Sequence, residues 1–389
     1  MEKPLFSIIL LHYNQPNYVK GALDSIFMQT YDNIELIFAD DASFDIDLKT
    51  IKQYINENKK ENIRKVDWQI NHENAGTVKT LNSAIQKCSG EYLLFFAADD
   101  QLYDDNVIEN FYCGFQKTDH DVYMISSQCH MMDIELKVKQ YDFVKPAFAN
   151  CFNHFTSKEQ FCAFTKDCFL AIGATAMKMK MFEKYGYFDE RYQYIEDLSW
   201  FLSLTRSGGK IYYCNFNGLL HRDGGISKYT DNALMLPHVL GYKLDMVHIF
   251  ENEIIPFISD FDINDIQRTI AWYEGEKNGY INAGGNVDCI KKSMIRKHLP
   301  AFYIKNIIWG IDRNFPHHIK KAFDNVLKLN ILLISTALLY IIFKMTVIQL
   351  CLFFILSVIF FLFLKIFFLF SFKVLYRLRN HLKNKRGPK

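Results

Sequence analysis

The sequence lacks the cysteine pattern of a disulfide-stabilised or zinc-binding protein. Its nine cysteines are scattered along 389 residues, their number is odd, and none forms a Cys-x-x-Cys pair. Disulfide frameworks and structural zinc sites both need cysteines at short, regular spacings. We therefore expect reduced, mostly buried thiols in a cytosolic domain, and we do not expect zinc.

A surplus of positive charge is also absent. The chain has 45 Lys and Arg residues against 43 Asp and Glu residues, which gives a formal charge of +2. Since a basic surplus is the usual electrostatic feature of nucleic-acid-binding proteins, we expect no nucleic acid among the partners. The first residues, MEKPLFSIILLHYNQ, contain only a short apolar stretch, so we interpret them as a first strand and not as a signal peptide.

Strand and helix patterns alternate along the first hundred residues. Four apolar runs of strand length are separated by three segments with helical spacing. This rhythm predicts an α/β fold with a mostly parallel sheet and flanking helices. The predicted strands cover 6–11, 34–39, 66–70, 92–96, 121–127 and 210–214, and the predicted helices cover 17–29, 48–58, 77–88 and 197–205.

Polar side chains follow three of these strands at the point where each strand ends. They are Tyr13-Asn14, Asp40-Asp41 and Asp99-Asp100. In open parallel sheets, ligands bind beyond the carboxyl ends of the strands. We therefore expect the three pairs to converge on one crevice.

Asp99 and Asp100 come directly after the apolar run YLLFFAA. Two adjacent carboxylates repel each other unless a positive group lies beside them. A divalent cation such as Mg²⁺ or Mn²⁺ satisfies that requirement, because it takes one or two protein carboxylates and completes its shell with phosphate and water. The alternative is helix capping, which is the better interpretation of an isolated Asp-Asp pair. The neighbouring motifs favour the interpretation as a cation site.

Asp40-Asp41 and the loop that follows the third predicted strand are two of these motifs. Asp40-Asp41 can bind a ribose hydroxyl or a nucleotide base, or it can cap a turn, with about equal weight. The loop NHENAG at 71–76 contains Gly76 and precedes a helix that carries Lys79. Free amides at the start of that helix can bind an anion, although this signal is weak by itself.

Two later motifs also have a chemical and a structural interpretation. Glu196-Asp197 opens a predicted helix, so it either caps that helix or supplies a general base, with Trp200 one turn away to pack a sugar. His221 follows a predicted strand and precedes a Gly-Gly loop. A lone histidine is more often structural, but this one is placed where it can reach a phosphate or a metal.

The carboxyl-terminal part of the chain has a different composition. Residues 345–364 contain no charge and are long enough to cross a bilayer core of about 30 Å. We predict a helical region at 229–327, a membrane-associated or transmembrane segment at 328–373, and a basic tail at 374–389 that stays cytoplasmic. Two spans, one span and a segment lying in the interface all remain open, and a buried core helix is the soluble alternative.

Four blocks of the sequence, in this order and spacing, resemble the family 2 glycosyltransferases. The resemblance covers roughly residues 5 to 230 and implies the GT-A fold, a Rossmann-like α/β architecture, for a catalytic domain at 1–228. The first block is the most specific, because several positions match across a strand, a helix and a strand. The blocks are SIILLHYNQPNYVKGALDSIFMQTYDNIELIFADDAS at 7–43, NHENAG at 71–76, GEYLLFFAADD at 90–100 and FDERYQYIEDLSW at 188–200.

The resemblance also implies a role for each site residue. Tyr13 and Asp41 contact the nucleotide base, typically uracil. Asp99 coordinates Mg²⁺ or Mn²⁺, with Asp100 beside it at the diphosphate. On the acceptor side, the resemblance makes Asp197 the base that deprotonates the acceptor hydroxyl, with Glu196 shaping the site, and it places His221 near the metal.

Two positions depart from the family pattern. Relatives commonly carry an acid at the position of Ala97, where it holds the ribose. Many relatives also place an arginine where this chain has Leu81, and Lys79 is a candidate for the missing charge. Both departures concern donor affinity and sugar identity more than the class of reaction.

The sequence therefore predicts an inverting, metal-dependent glycosyltransferase. We expect it to move a sugar from a nucleotide-sugar, such as a UDP-sugar, to a hydroxyl of a lipid-linked or cell-surface glycan, from the cytoplasmic face of a bacterial inner membrane. Transfer to polyprenyl phosphate is one alternative. A non-catalytic nucleotide-sugar-binding scaffold at the membrane is another, and the intact Asp99 and Glu196-Asp197 argue against it.

Overall fold

The amino-terminal half of the sheet is parallel and is built by crossover helices. The computed structural model describes residues 3–44, 46–119, 122–224, 237–259 and 261–290. Its first strands lie side by side in the order β3-β2-β1-β4 and all run the same way. These strands are β1 (Phe6–His12), β2 (Ile34–Asp40), β3 (Ile63–Ile70) and β4 (Tyr92–Ala97), joined by the helices α1 (Val19–Phe27), α2 (Leu48–Asn58) and α3 (Thr77–Ile85).

The central strands are apolar because helices cover both of their faces. Every residue of β2 is buried, as are six of the seven residues of β1. The predicted apolar stripe of α1 is confirmed, since Val19, Ala22, Leu23, Ile26 and Phe27 are all buried. Together with α4 (Val107–Lys117), these elements form the main apolar core on one side of the sheet.

The second half of the sheet is mixed, and this corrects the expectation of a mostly parallel sheet. The strand order continues β4-β8-β6-β9-β5, with β7 paired to β6. Strand β8 is antiparallel to both of its neighbours, whereas β6 and β9 are parallel. The helix-strand alternation that predicts parallel pairing ends after β4. The added strands are β5 (Gln101–Leu102), β6 (Met124–Met132), β7 (Lys139–Asp142), β8 (Thr175–Lys178) and β9 (Ile211–Arg222).

The remaining described α-helices are α5 (Pro146–Phe152), α6 (Ser157–Phe164), α7 (Lys180–Tyr185), α8 (Asp197–Arg206), α9 (Pro237–Ile249) and α10 (Ile263–Asn282). Helix α5 packs against β9, α6 packs against α8, and α9 packs against α10. Helix α6 begins with a capping box, in which Thr156 and Glu159 satisfy each other's backbone amides.

Helix α9 and the π-helical segment after it, Phe250–Ile254, are bonded to α8 and to the segment that leads into it. Asp245 accepts hydrogen bonds at 2.7 Å from the backbone N–H groups of Gln193 and Tyr194. Glu253 forms ion pairs with Arg191 at 2.7 Å and Arg206 at 2.8 Å. The described part of the helical region therefore fixes the loop before α8.

The predicted membrane-associated segment at 328–373 and the basic tail at 374–389 lie outside the described residues. Among the helices that the structure does describe, none combines the length and the apolar character needed to span a bilayer. The membrane segment and its number of spans stay predictions.

Candidate active site

The polar strand ends meet at one edge of the sheet. His12 pairs with Asp40 in the β1–β2 ladder, and Leu11 pairs with Ala97 in the β1–β4 ladder. Beyond the strands, the Asp41 N–H donates to the His12 carbonyl at 3.0 Å, and the Ala98 N–H donates to the Leu11 carbonyl at 2.7 Å. The three pairs of polar residues therefore start from adjacent positions, as the alternation of strands and helices predicts.

Asp100 holds the end of β9 in place. Its Oδ2 lies 2.8 Å from Nδ1 of His221, and its Oδ1 accepts the backbone N–H of Arg222 at 2.9 Å. The short strand β5 follows Asp100 directly and pairs Gln101 with Leu220, which brings the next residue, His221, to the carboxylate. Asp100 is 4% exposed, so its two oxygens are committed to these contacts.

Asp99 occupies a different environment from its neighbour. Burial, and then the charge of Asp100, raise the pKa of Asp99 to about 6. Its Oδ1 is buried, and no donor from the described part of the chain reaches it. His221 and a hydrogen bond from the Gln15 side chain act in the opposite direction on the pKa of Asp99, but they do not offset the burial.

These observations fit a divalent cation at Asp99. A cation beside an unpartnered carboxylate oxygen of this kind would stabilise its charged form. Across the residues the structure describes, no group of three or more His, Cys, Asp and Glu side chains is arranged to hold a metal. If Asp99 and His221 hold a cation as predicted, they would supply only part of its ligands, and Mg²⁺ or Mn²⁺ would take the others from phosphate and water.

The Asp40-Asp41 pair is engaged within the protein. Asp40 Oδ1 lies 2.7 Å from Nδ1 of His12 and accepts the Ser43 hydroxyl at 2.6 Å. Burial acts to raise the pKa of Asp40, but these hydrogen bonds outweigh it and lower the pKa. Asp41 is 6% exposed and accepts three hydrogen bonds from the loop at 71–76. Both acids therefore order the loops at the end of β2.

The loop at 71–76 lies against the segment that precedes α8. Gly76 has a φ of 85°, and a Cβ built there would come within 2.5 Å of Gln193 Cγ. Asn82 on α3 donates to the Phe188 carbonyl at 2.9 Å and accepts its N–H at 3.1 Å. Two blocks about a hundred residues apart in the sequence are therefore joined by direct contacts.

Tyr194 lies close enough to the residues that follow β1 and β2 to be affected by their charges. Burial raises the pKa of Tyr194, and Asp245, Tyr13 and Asp41 add smaller contributions in the same direction. Tyr13 itself is 39% exposed beyond the end of β1. The predicted base-contacting residues Tyr13 and Asp41 thus lie near each other, and Tyr13 is accessible.

Glu196 and Asp197 form a coupled acidic pair at the start of α8. Burial raises the pKa of both carboxyl groups, and the charge of Asp197 raises the pKa of Glu196 further. Asp197 Oδ1 accepts the N–H of Leu198 at 2.6 Å, and the Cys168 thiol lies 3.7 Å from its Oδ2. A carboxylate held at a raised pKa is a better proton acceptor at neutral pH than an ordinary aspartate.

Trp200 is not available to pack a sugar as the sequence suggested. Trp200 is only 4% exposed, and its indole contacts the rings of Phe182, Tyr185 and Phe188. The reason is that this face of α8 forms part of an aromatic core. The indole therefore fixes the position of α8 and hence of Asp197.

Lys79 and Leu81 lie on different sides of α3. Lys79 is exposed, whereas Leu81 is completely buried. Side chains two positions apart on a helix do not face each other. Lys79 therefore cannot occupy the place of the Leu81 side chain. The role predicted for Lys79, a positive charge beside the donor, is supported only by the exposure of its side chain.

Several residues of the site were not found by sequence reasoning. Arg222 donates through Nε to the Asp99 carbonyl at 2.7 Å, and its guanidinium lies 4.1 Å from the ring centre of Tyr18. Gln15 reaches Asp99, and Cys168 reaches Asp197. Arg222 directly follows the predicted residue His221, and this proximity could have identified it. No spacing in the sequence indicates that Cys168 contacts Asp197.

Part of this chain is similar to known glycosyltransferases. The sequence model described as "Glycosyl transferase family 2" matches residues 7–186. An uncharacterized glycosyltransferase of Rickettsia typhi is 33% identical over 208 residues, which are 52% of this chain and 60% of the relative. One from Rickettsia prowazekii is 27% identical over 215 residues, which are 51% and 58%. The match thus spans less than two thirds of either relative.

One further relative matches a shorter stretch of this chain, and two solved structures resemble it at low sequence identity. A Bacillus subtilis glycosyltransferase named for teichuronic acid biosynthesis, TuaG, is 31% identical over 109 residues, which are 27% of this chain and 40% of that protein. The crystal structure of S. aureus TarS 1–349 with UDP-GlcNAc overlaps 72% of this chain and 81% of its own, at 14% identity and a TM-score of 0.45. The mannosyltransferase PcManGT from Pyrobaculum calidifontis, with GDP-Man and Mn²⁺, overlaps 72% and 73% at 16% identity and the same TM-score.

Proposed function

We propose that this chain, whose residues 7–186 match the model of glycosyl transferase family 2, is an inverting, metal-dependent member of that family that transfers a sugar from a nucleotide-sugar to a glycan hydroxyl. The observation that carries the proposal is the buried, unpartnered Oδ1 of Asp99 at the end of β4. It lies at the edge of the sheet where a nucleotide diphosphate is expected to bind.

The donor side of the site contains the groups that a nucleoside diphosphate needs. Asp99 and His221 would hold Mg²⁺ or Mn²⁺, which as a Lewis acid would stabilise the leaving diphosphate. Asp100 orients the His221 ring through its 2.8 Å contact with Nδ1. Tyr13 presents an exposed ring for the base, and Asp41 shapes the loop beside it. A UDP-sugar is the donor class we propose.

The acceptor side is supplied by Asp197 with Glu196. Asp197 takes the proton of the attacking hydroxyl, and its raised pKa suits that task. Glu196 shares the same enclosed position, so the pair carries one proton more readily than two negative charges. A base on the acceptor side implies direct displacement with inversion at the anomeric carbon, since no second carboxylate has been assigned the role of a nucleophile beneath the sugar.

The acceptor class is proposed from the composition of the chain and its relatives. The predicted membrane-associated segment at 328–373 would hold the catalytic domain at the cytoplasmic face of a bacterial inner membrane, where lipid-linked glycans are exposed. The relative named for teichuronic acid biosynthesis also favours a cell-surface polysaccharide. We therefore propose a lipid-linked or cell-surface glycan as the acceptor.

Replacement of the proposed base tests the reaction. We expect Asp197→Asn to lower transfer by about 10²- to 10⁴-fold, because the hydroxyl loses its proton acceptor, while UDP binding stays unchanged. Released nucleoside diphosphate, product mass and calorimetry with UDP and Mn²⁺ measure the two effects. Asp32→Asn, at an exposed position, is the matched control. Near-normal turnover of Asp197→Asn would show that another group takes the proton.

The pH dependence of kcat/KM is a second test of Asp197 as the base. A base with a raised pKa must lose its proton before it acts, so the acidic limb of the kcat/KM profile should lie above the usual range of an aspartate. If the limb lies in the ordinary aspartate range, the carboxylate that titrates is not one of this buried pair.

A further inference from the structure

The backbone that leads into α8 is bonded to a carboxylate of α9. The N–H groups of Gln193 and Tyr194 both donate to Oδ2 of Asp245, each at 2.7 Å. Successive N–H groups that converge on one oxygen form a small anion-binding turn. Here the anion is a side chain of the helical region, and the turn lies directly before Ile195, Glu196 and the proposed base.

The Asp245 contact is enclosed and charge-assisted. Asp245 is only 7% exposed, so little water is available to replace its carboxylate. Hydrogen bonds from N–H groups to a carboxylate are roughly twice as strong as those to a neutral acceptor. Removal of this carboxylate therefore leaves two neighbouring N–H groups without a comparable partner and frees the backbone between them.

Helix α9 approaches the same segment with a second residue, Gly241. Gly241 lies four residues before Asp245, so both are on one face of the helix. A Cβ built at Gly241 would overlap the ring of Tyr194. The helix thus contacts Tyr194 through its side chain as well as through its backbone N–H, and the missing Cβ permits this close approach.

On its other side, the segment packs against the donor-side loop at 71–76. Gln193 is the neighbour that a Cβ at Gly76 would meet. That loop has bonds of its own, since Asp41 accepts the N–H groups of Ala75 at 2.8 Å and Gly76 at 2.9 Å. Loss of the Asp245 contact should therefore loosen the segment before α8 while the loop at 71–76 keeps its position.

A second acid of the helical region acts farther from the proposed base. Glu253 bonds to Arg191 at 2.7 Å and to the Tyr192 hydroxyl at 3.2 Å. These are contacts with side chains, whereas Asp245 holds the backbone itself. Of the two acids, Asp245 is therefore the one whose loss most directly changes the start of α8.

We propose that Asp245 is a positioning residue for the proposed base. By fixing the backbone of Gln193 and Tyr194, it determines where Glu196 and Asp197 begin α8, and hence where Asp197 meets the attacking hydroxyl. This inference rests on the proposed function, because it assigns Asp245 an effect on that same base. A displacement of about 1 Å in a catalytic group can lower a rate about 10²-fold, so a residue that does not touch the substrate can still govern the reaction.

The proposal extends the catalytic unit beyond the residues that match the family model. The model covers residues 7–186, whereas α9 (Pro237–Ile249) belongs to the helical region predicted at 229–327. Helix α9 is then part of the machinery that orients the base, whatever further role that region has toward the acceptor.

Substitution of Asp245 in the full chain tests the proposal. The assay uses Mn²⁺ and UDP-glucose, UDP-galactose or UDP-N-acetylglucosamine, with water and methyl glycosides as acceptors, and measures released UDP. We expect Asp245→Ala to lower kcat about 10- to 100-fold, because Asp197 loses its fixed position. The KM for the donor and the affinity for UDP with Mn²⁺ should not change, since the loop at 71–76 keeps its bonds to Asp41. Asp245→Asn retains an oxygen that can accept both N–H groups and should recover most of kcat.

Two further variants separate positioning from a general loss of stability. Gly241→Ala disturbs the same contact from another atom and should also lower kcat, because its Cβ displaces Tyr194. Asp265→Asn is the matched control, since it breaks the 3.1 Å ion pair with Lys166 elsewhere in the helical region and should leave kcat unchanged. Thermal unfolding gives the folded fraction of each protein. If Asp245→Ala lowers only the melting temperature, and kcat per folded molecule stays at the wild-type value, Asp245 has a structural role alone.

Hydrogen exchange measures the positioning without any activity. We expect Asp245→Ala to speed exchange of the Gln193 and Tyr194 amides about tenfold, Asp245→Asn to speed it less, and Asp265→Asn to leave it unchanged. Unchanged exchange in Asp245→Ala overturns the inference, and so does faster exchange with an unaltered kcat. If the wild type releases no UDP from any donor, the proposed function fails instead, and the exchange rates alone decide whether Asp245 holds this segment.

Discussion

The buried carboxylate of Asp99 should make the stability of the protein depend on pH and on divalent cations. Its pKa of about 6 in the folded protein exceeds the ordinary aspartate value of 3.8, so the folded state binds this proton more tightly than the unfolded state. For a group whose folded-state pKa is raised, stability falls as the pH rises from about 4 to about 6. The full shift corresponds to about 3 kcal/mol of lost stability above pH 6.

Asp99→Asn removes the ionisation and keeps the shape of the side chain. In the presence of EDTA at pH 7.5, we expect this variant to be up to about 3 kcal/mol more stable than the wild type, and at pH 4 we expect no such gain. Urea unfolding followed by tryptophan fluorescence measures the difference. Asp32→Asn, an exposed aspartate, should change stability little at either pH.

A divalent cation should reverse the order of the two proteins. Mn²⁺ at pH 7.5 should stabilise the wild type, because it supplies the positive charge that Asp99 lacks, and it should stabilise less at pH 5, where a proton competes. Asp99→Asn should not respond, and calorimetry should show that it has lost Mn²⁺-dependent UDP binding. Equal stabilisation of both proteins by Mn²⁺ would refute the assignment of the cation to Asp99.

Three further changes test how the site is positioned. Gly76→Ala should destabilise the protein by about 1–3 kcal/mol in urea unfolding, because φ is 85° and the new Cβ would lie within 2.5 Å of a neighbouring side chain. Asn82→Ala should cost about 1–3 kcal/mol in the same assay, since it leaves the buried N–H and carbonyl of Phe188 unpaired. Asp100→Asn and His221→Asn should each lower kcat, and the double variant should lose less than the sum, with a coupling of about 0.5–3 kcal/mol.

The parallel half of the fold could be predicted because its signals are local. Each strand there is an apolar run and each helix has an apolar stripe, so the predicted helix at 48–58 and α2 have the same bounds. The strand predicted at 210–214 is longer in the structure, as β9 continues to Arg222. Its second part, NFNGLLHR, has no strand pattern and is extended because it pairs with β6.

The position of His221 depends on an element too short to predict. Strand β5 has two residues, and its pairing with β9 is the contact that brings His221 to Asp100. Sequence reasoning named His221 from its place between a strand and a Gly-Gly loop, but it could not select its partner. The same limit applies to Cys168, whose contact with Asp197 arises only from the packing of distant segments.

The four acids at the strand ends show why a motif alone does not assign a ligand. Asp40, Asp41 and Asp100 all lie where the sequence places them, yet hydrogen bonds within the protein occupy their carboxylates. Such bonds provide the carboxylate oxygens with partners, and no cation is needed to explain these three residues. Asp99 differs because burial raises its pKa while one oxygen stays unpaired. In the Asp99-Asp100 pair, Asp100 thus has a structural role and Asp99 stays the candidate cation ligand, and it is their hydrogen-bond partners that distinguish the two residues.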